Sequence, residues 1–264
     1  MSPSITKILF LALTASITQA APASSSLSAR QAPAGPDIPF LESLQTAPSA
    51  KIRFQRLFTK DQKGSELLDA EALKKALVFD FNNGAVSAGG TVKSANVETF
   101  PVLTDLGISV TVANLGPCGI NTPHVHPRAT EFLTVVEGPG VDVGIILENA
   151  IVGAGKQSEL TARVEKLQGT VFPVGSIHYQ FNNNCDNTTF VAALNSEDPG
   201  TGQIAQNFLN LNDEVVKAVI GFPKSLAGAD IQTIRQNIPA NLAIATEACY
   251  QKCKTEGKMH SIGL

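Results

Sequence analysis

From about residue 90 to residue 197 the chain is cut into short apolar runs, each closed by Gly, Asn or Pro. Gly107–Ala113 alternates apolar and polar side chains, as a half-buried strand does. Phe132–Val136, Val141–Leu147 and Thr189–Leu194 are further runs of strand length. None is long enough for a helix of ordinary size, and turn residues recur too often for a helical bundle. The texture predicts an antiparallel sandwich or barrel. With 43% hydrophobic residues, 16% charged ones, 13 Phe and no Trp, the core is one of Phe, Val, Ile and Leu. The barrel segment does not repeat, so a single barrel is expected.

The flanks read differently. Residues 39–89 form an N-terminal extension in which Asp69–Leu77 favours a helix, broken by Asn82-Asn83-Gly84. Lys51, Arg53, Arg56, Lys60 and Lys63 are read as a solvated helical face. After the barrel, assigned to residues 90–204, residues 205–264 turn helical. Val215, Val216, Val219 and Ile220 share one helical face, as do Ile231, Ile234 and Ile238, with Pro223 and Pro239 as punctuation.

Three of the four His lie close together: His124, His126 and His178, with His260 in the tail. His124-Val125-His126 places two imidazoles on one face of a strand. Glu131 follows five residues after His126, and Gly138 seven after that. A lone His is usually structural, but three imidazoles and one carboxylate make a strong site for a divalent first-row metal. The donor types accept Zn, Fe, Ni or Cu as well as Mn, so they do not choose the metal.

Residues 1–20 carry Lys7, a short apolar run from Ile8 to Ile17 and a small-residue exit at Ala20, the pattern of a secretory signal peptide. The run is about half the ~20 residues a membrane span needs. Residues 21–38, rich in Ala, Pro and Ser, are a flexible leader in which Arg30 offers a processing point. Secretion accords with four Cys, at 118, 185, 249 and 253, and with a glycosylation acceptor at Asn187-Thr188-Thr189. Four Cys allow three connectivities, and the sequence does not choose among them. Cys249 and Cys253 read either as a short-loop pair or as a helical stripe of thiols. A formal charge of −3, spread without a basic patch, argues against nucleic acid as a partner.

The stretch Cys118-Gly-Ile-Asn-Thr-Pro-His124-Val-His126-Pro-Arg-Ala-Thr-Glu131, closing at Gly138, resembles the first cupin box of germins. Val171-Phe-Pro-Val-Gly-Ser-Ile-His178-Tyr-Gln-Phe-Asn182 resembles the second. Together with Asn82-Asn-Gly and Asn114-Leu-Gly-Pro-Cys118, the pattern is similar to fungal and slime-mould germin-like proteins of the spherulin type. The resemblance implies a mainly β fold, a single cupin jelly-roll barrel with one manganese held by His124, His126, Glu131 and His178. It also implies trimers or hexamers built through C-terminal helices.

Two positions depart from the pattern: Cys118 stands where the first box opens with Gly, and Leu167 where the second expects one. Germin oxalate oxidases hold substrate with two Asn, of which Asn121 matches one, while Thr111 occupies the place of the other. Asn182 is a candidate for orienting a ligand. If both boxes meet at one metal, Cys118 and Cys185 approach each other at a barrel rim as a candidate pair, beside the separate candidate pair Cys249 and Cys253.

The function expected from the resemblance is a secreted metal-dependent oxidoreductase acting on superoxide or oxalate, with oxygen species or a small molecule as reactants. The alternative is a non-catalytic spore, wall or stress protein that meets cell-wall carbohydrate.

Overall fold

The computed structural model describes residues 36–221, 233–234, 238–239, 241–244 and 246–258. Residues 1–20, expected to be a signal peptide, nearly all of the expected leader with Arg30, and also Pro223, Ile231 and His260 lie outside the described residues.

Three short helices precede the barrel, each opened by a side chain that accepts from the first turn. Asp37 caps α1 (Ile38–Gln45), Ser49 caps α2 (Ala50–Phe58) and Asp69 caps α3 (Ala70–Leu77). The last of these is the helix the sequence predicts. The basic face of α2 is not wholly solvated: Arg53 is buried. Its Nε donates to the Leu44 carbonyl at 3.2 Å and its guanidinium pairs with Asp105. Arg56 donates to the Ser43 carbonyl. The two cations tie α2 to α1, whose Leu41 and Leu44 are buried. A buried cation needs such partners, and periodicity alone does not reveal them.

The barrel strands are β1 (Ala85–Ser87), β2 (Gly90–Ala95), β3 (Ser109–Leu115), β4 (Gly119–Val125), β5 (Glu131–Glu137), β6 (Val141–Ile146), β7 (Glu159–Val164), β8 (Gly169–Phe172), β9 (Ile177–Phe181), β10 (Thr188–Leu194), β11 (Gly202–Gln203) and β12 (Leu242–Ile244). They form two antiparallel sheets. One runs β1-β2-β3-β10-β5-β8, the other β11-β4-β9-β6-β7, with β11 and β12 sharing one edge of β4. Mainly β, with two facing sheets and helices toward both termini, is the architecture the sequence predicts. Period-two burial drives it: along β10, Thr188, Phe190, Ala192 and Leu194 point inward. With Leu115, Leu133, Val135, Val141, Phe172 and Leu242 they make the core between the sheets.

After the barrel come α4 (Ile204–Leu209), α5 (Asp213–Val219) and α6 (Glu247–Thr255). On α5 Val216 is buried, whereas Val215 and Val219 are exposed. The C-terminal region is also not purely helical, since it sends β12 back into the second sheet, with Leu242 in the core.

The cystines correct the expected pairing. Cys118 bonds Cys249 and Cys185 bonds Cys253; neither Cys118–Cys185 nor Cys249–Cys253 forms. The Cys118 and Cys185 loops do adjoin, for Cys118 N–H donates to the Asn184 carbonyl at 3.1 Å. The sulfurs of α6 lie between them. Cys249 and Cys253 are one helical turn apart and point the same way, with Cβ atoms ~5–6 Å apart, beyond the ~3.8 Å a disulfide needs. Each therefore bonds outward to a barrel loop, and the four sulfurs form one buried cluster.

Candidate metal centre

Four side chains from the two sheets converge in the barrel. His124 lies near the end of β4, His126 one residue past it, Glu131 opens β5 and His178 is second on β9. Their ligand atoms all lie within 4.8 Å of one another. His124, Glu131 and His178 are buried, and His126 is half-buried.

The backbone aims them. Asn121 pairs with Gln180 and His124 with His178, so Thr122 and Pro123 together stand opposite Tyr179. This bulge re-aims the strand just before the first imidazole, and Pro123, with no N–H, can stand there without losing a ladder bond. Phe172 stacks on the His178 ring at 4.3 Å and 13°.

Every imidazole is anchored through Nδ1 to a backbone carbonyl: His124 to Thr122 at 2.8 Å, His126 to Gly200 at 2.6 Å, His178 to Ser176 at 2.9 Å. A carbonyl only accepts, so each Nδ1 carries the proton and each Nε2 faces the centre. His178 Nε2 is buried with no hydrogen-bond partner; it lies 3.4 Å from the Glu131 carboxylate, out of line. His126 Nε2 lies 2.9 Å from the same carboxylate oxygen.

Burial and the His178 ring beside it push His124 down to about 4, which keeps it neutral. Burial opposes ionisation of Glu131 too, yet the hydrogen bond from His126 and the His178 imidazole beside it hold its carboxyl at about 2. His126 is raised: burial disfavours its charge, but Glu131 and the Gly200 carbonyl outweigh that. Nδ1 of His126 faces a carbonyl and Nε2 a carboxylate, so both are placed to donate, and a divalent cation would take the place of a proton on Nε2. An orphaned Nε2, a second Nε2 kept neutral and an ionised carboxylate are a donor set that fits such an ion. Ligands on opposite sides of a first-row ion are ~4 Å apart, close to the spread seen here.

A cupin family model matches residues 79–225. The chain belongs to the cupin family. Among its relatives, spherulin-1A of Physarum polycephalum is 36% identical over 197 residues, 72% of this chain and 75% of that protein. Germin-like protein 1-3 of Oryza sativa subsp. japonica is 42% identical over 123 residues, 47% of this chain and 52% of that one. A solved oxalate oxidase in complex with the substrate analogue glycolate superposes with a TM-score of 0.52 at 23% identity, covering 60% of this chain and 76% of the other. That last likeness bears on the fold alone.

In this cupin a cavity of about 350 Å³ opens beside the four residues, between β2, β3 and β10 on one side and β4 and β11 on the other. Asn121 lines it and donates through Nδ2 to the Gln180 carbonyl oxygen at 2.7 Å. Thr111 lines it as well, paired with Ser94 hydroxyl to hydroxyl at 2.7 Å. Asn182 is elsewhere and does not orient any of the four. Its Nδ2 lies within 3.1 Å of the Leu115, Gly116 and Asp186 carbonyls, and its oxygen accepts from Asn184 at 3.1 Å. It ties the loop after β3 to the loop before β10, where a buried amide must satisfy itself locally. Asn187 is exposed, just before β10.

Sequence reading missed Gln180, Gln203 and Asn241. Gln180 carried a signal, since it lies two residues after His178 and so on the same strand face. Gln203 and Asn241 reach the cavity only through long-range pairing, which no local pattern encodes.

Proposed function

We propose that this cupin is a secreted manganese protein, holding the metal through His124, His126, Glu131 and His178, and that it works as an oxidoreductase of the superoxide dismutase or oxalate oxidase type. The observation that carries the reading is the convergence of three carbonyl-anchored imidazoles and one ionised carboxylate beside a cavity. Manganese is preferred on the resemblance to germins, because the donor atoms accept its neighbours equally.

Bound there, manganese supplies one-electron exchange with a reactant in the cavity. The chain's own contribution is placement. Nδ1 anchors hold the rings still, so reorganisation on binding is small. Apart from the four ligands, the described lining residues are uncharged and none titrates near neutrality. General acid–base hydrolysis has no agent in such a lining, which favours redox work at the metal. The balanced outcomes are two superoxide and two protons to oxygen and hydrogen peroxide, or oxalate, oxygen and two protons to two carbon dioxide and hydrogen peroxide.

The test is direct. The metal-loaded protein should release peroxide from oxalate or remove superoxide at a rate above free manganese. Full occupancy with neither activity would overturn the enzymatic reading. It would favour a second reading, a metal-stapled spore, wall or stress protein, which is supported by the spherulin matches being longer than the germin-like ones.

Two buried cystines support an oxidising, extracellular site of action. Asn187, exposed in its acceptor triplet, supports glycosylation there and contact with wall carbohydrate. Exposed Val215 and Val219 on α5, with Phe132 and Val171 on the outer face of β5 and β8, support a homo-oligomer, trimer or hexamer. Among the described residues no helix is long and apolar enough to cross a membrane.

A further inference from the structure

We propose that Asn241 and Gln203 are ligand-positioning residues of the cavity, and that together with the metal they take a small anion carrying one negative charge. The proposal rests on the metal reading above.

Asn241 comes from the far C-terminal region, immediately before β12, and lines the cavity with His124, His126 and Glu131. Its orientation is fixed at both ends. The backbone carbonyl accepts from Thr122 N–H at 2.9 Å, and the side-chain oxygen accepts from Leu242 N–H at 2.7 Å. An N–H can only donate, so the atom facing Leu242 is oxygen and Nδ2 is the free end. Among the described residues Nδ2 has no acceptor. Gln203, on β11, mirrors it: its oxygen accepts from the Thr122 hydroxyl at 2.8 Å, leaving Nε2 without an acceptor among the described residues. Elsewhere in the lining Asn121 donates to the Gln180 oxygen and Ser94 pairs with Thr111.

Thr122 is thus a hub. It holds an amide on each side, while its own carbonyl anchors His124 at 2.8 Å. The two donors are set relative to the metal ligand by one residue of the bulge.

The anchoring of β12 makes this wall rigid. Ala243 packs so closely on Gly89 that a Cβ there would collide with its backbone. A few residues on, α6 is bonded to the barrel by both cystines. A donor presented from such a strand costs little ordering when a ligand arrives.

Charge sets the ligand class. A divalent ion with three neutral imidazoles and one carboxylate leaves a net charge of one positive, and no other described lining residue is charged. An unbalanced charge held by buried ligands is costly, and one negative charge on the bound anion removes it. Two would recreate the imbalance with the opposite sign, so superoxide enters as it stands and oxalate as its singly protonated monoanion.

Glycolate serves as the probe, with ethylene glycol as its neutral counterpart, each titrated into the manganese-loaded full chain and followed by manganese paramagnetic resonance. Wild type should respond to glycolate and not to ethylene glycol. Asn241→Ala should weaken glycolate about tenfold, the usual effect of losing a hydrogen bond to a charged group. Asn241→Asp, which keeps the Leu242 contact but puts a carboxylate where the donor was, should weaken it roughly a hundredfold or more. Metal content should stay at the wild-type level in both. Gln203→Ala, which leaves the backbone of β12 alone, should weaken glycolate as well and guards against misfolding of the first variants. Glycolate affinity within about twofold of wild type in loaded Asn241→Asp and Gln203→Ala would overturn the proposal alone, as would equal response to ethylene glycol or none to glycolate. A wild type that takes up no divalent ion would overturn it together with the metal reading.

Discussion

Two residues stand in left-handed backbone where the cupin boxes ordinarily have glycine: Cys118 at φ 55° and Leu167 at φ 64°. For a residue with a Cβ that conformation costs ~1–2 kcal/mol. Cys118 is compensated by its cystine. Leu167, 78% exposed, gains no burial in return. Leu167→Gly should stabilise the protein by about 0.5–1 kcal/mol, the relief being partly offset by glycine's larger unfolded-state entropy. Urea unfolding checks it, and a loss of stability would contradict it. The imidazoles give a second test, in chelated protein. His124 is depressed to about 4, so the folded state binds fewer protons than the unfolded one and stability falls as pH drops from 6.5 towards 4. The loss is on the order of 3 kcal/mol. His126 acts with the opposite sign in another window: its raised value gives stability that is complete below 6.5 and fades as pH rises through that value. Glu131 contributes above 4.5 and is lost only as pH falls to about 2. Denaturant midpoints of chelated protein between about pH 7 and pH 4 should decline, and a flat profile would contradict the assignment of His124 as a buried neutral ring.

At the scale of elements, α6 is the clamp. Its two cystines close separations of 131 and 68 residues, each worth about 4–5 kcal/mol in the loop-entropy model, though the loops overlap and the values do not add. The paired change Cys185→Ser with Cys253→Ser should cost about 2–5 kcal/mol by denaturant unfolding while leaving Cys118–Cys249 intact. A cost below about 0.5 kcal/mol would show that α6 is held by packing instead. Partner choice at these four Cys was not legible in the sequence, because each thiol's neighbour is set by where α6 lands and not by spacing along the chain. The strands were legible for the opposite reason: alternation on β3 and β10 is a local consequence of one wet and one buried face. The buried Arg53 and the returning β12 again needed contacts between distant segments.

For the whole molecule, the barrel brings together residues that the sequence spreads over 55 positions from His124 to His178, and the spacing of the two boxes was enough to name all four. Asn182 bonds the Leu115, Gly116 and Asp186 carbonyls and none of the four, because an Asn near a box reads alike whether it orients a ligand or serves a turn. An ion binding the folded chain and not the unfolded one stabilises by mass action, so chelation should lower the melting temperature by several degrees at constant pH. The most direct measurement is metal content, by elemental analysis with paramagnetic resonance, on purified wild-type protein and on His178→Ala. About one divalent ion per chain is expected in the wild type, with a manganese signature, and its loss from a variant that still folds. A fully loaded His178→Ala protein, or a wild type without metal, would contradict it.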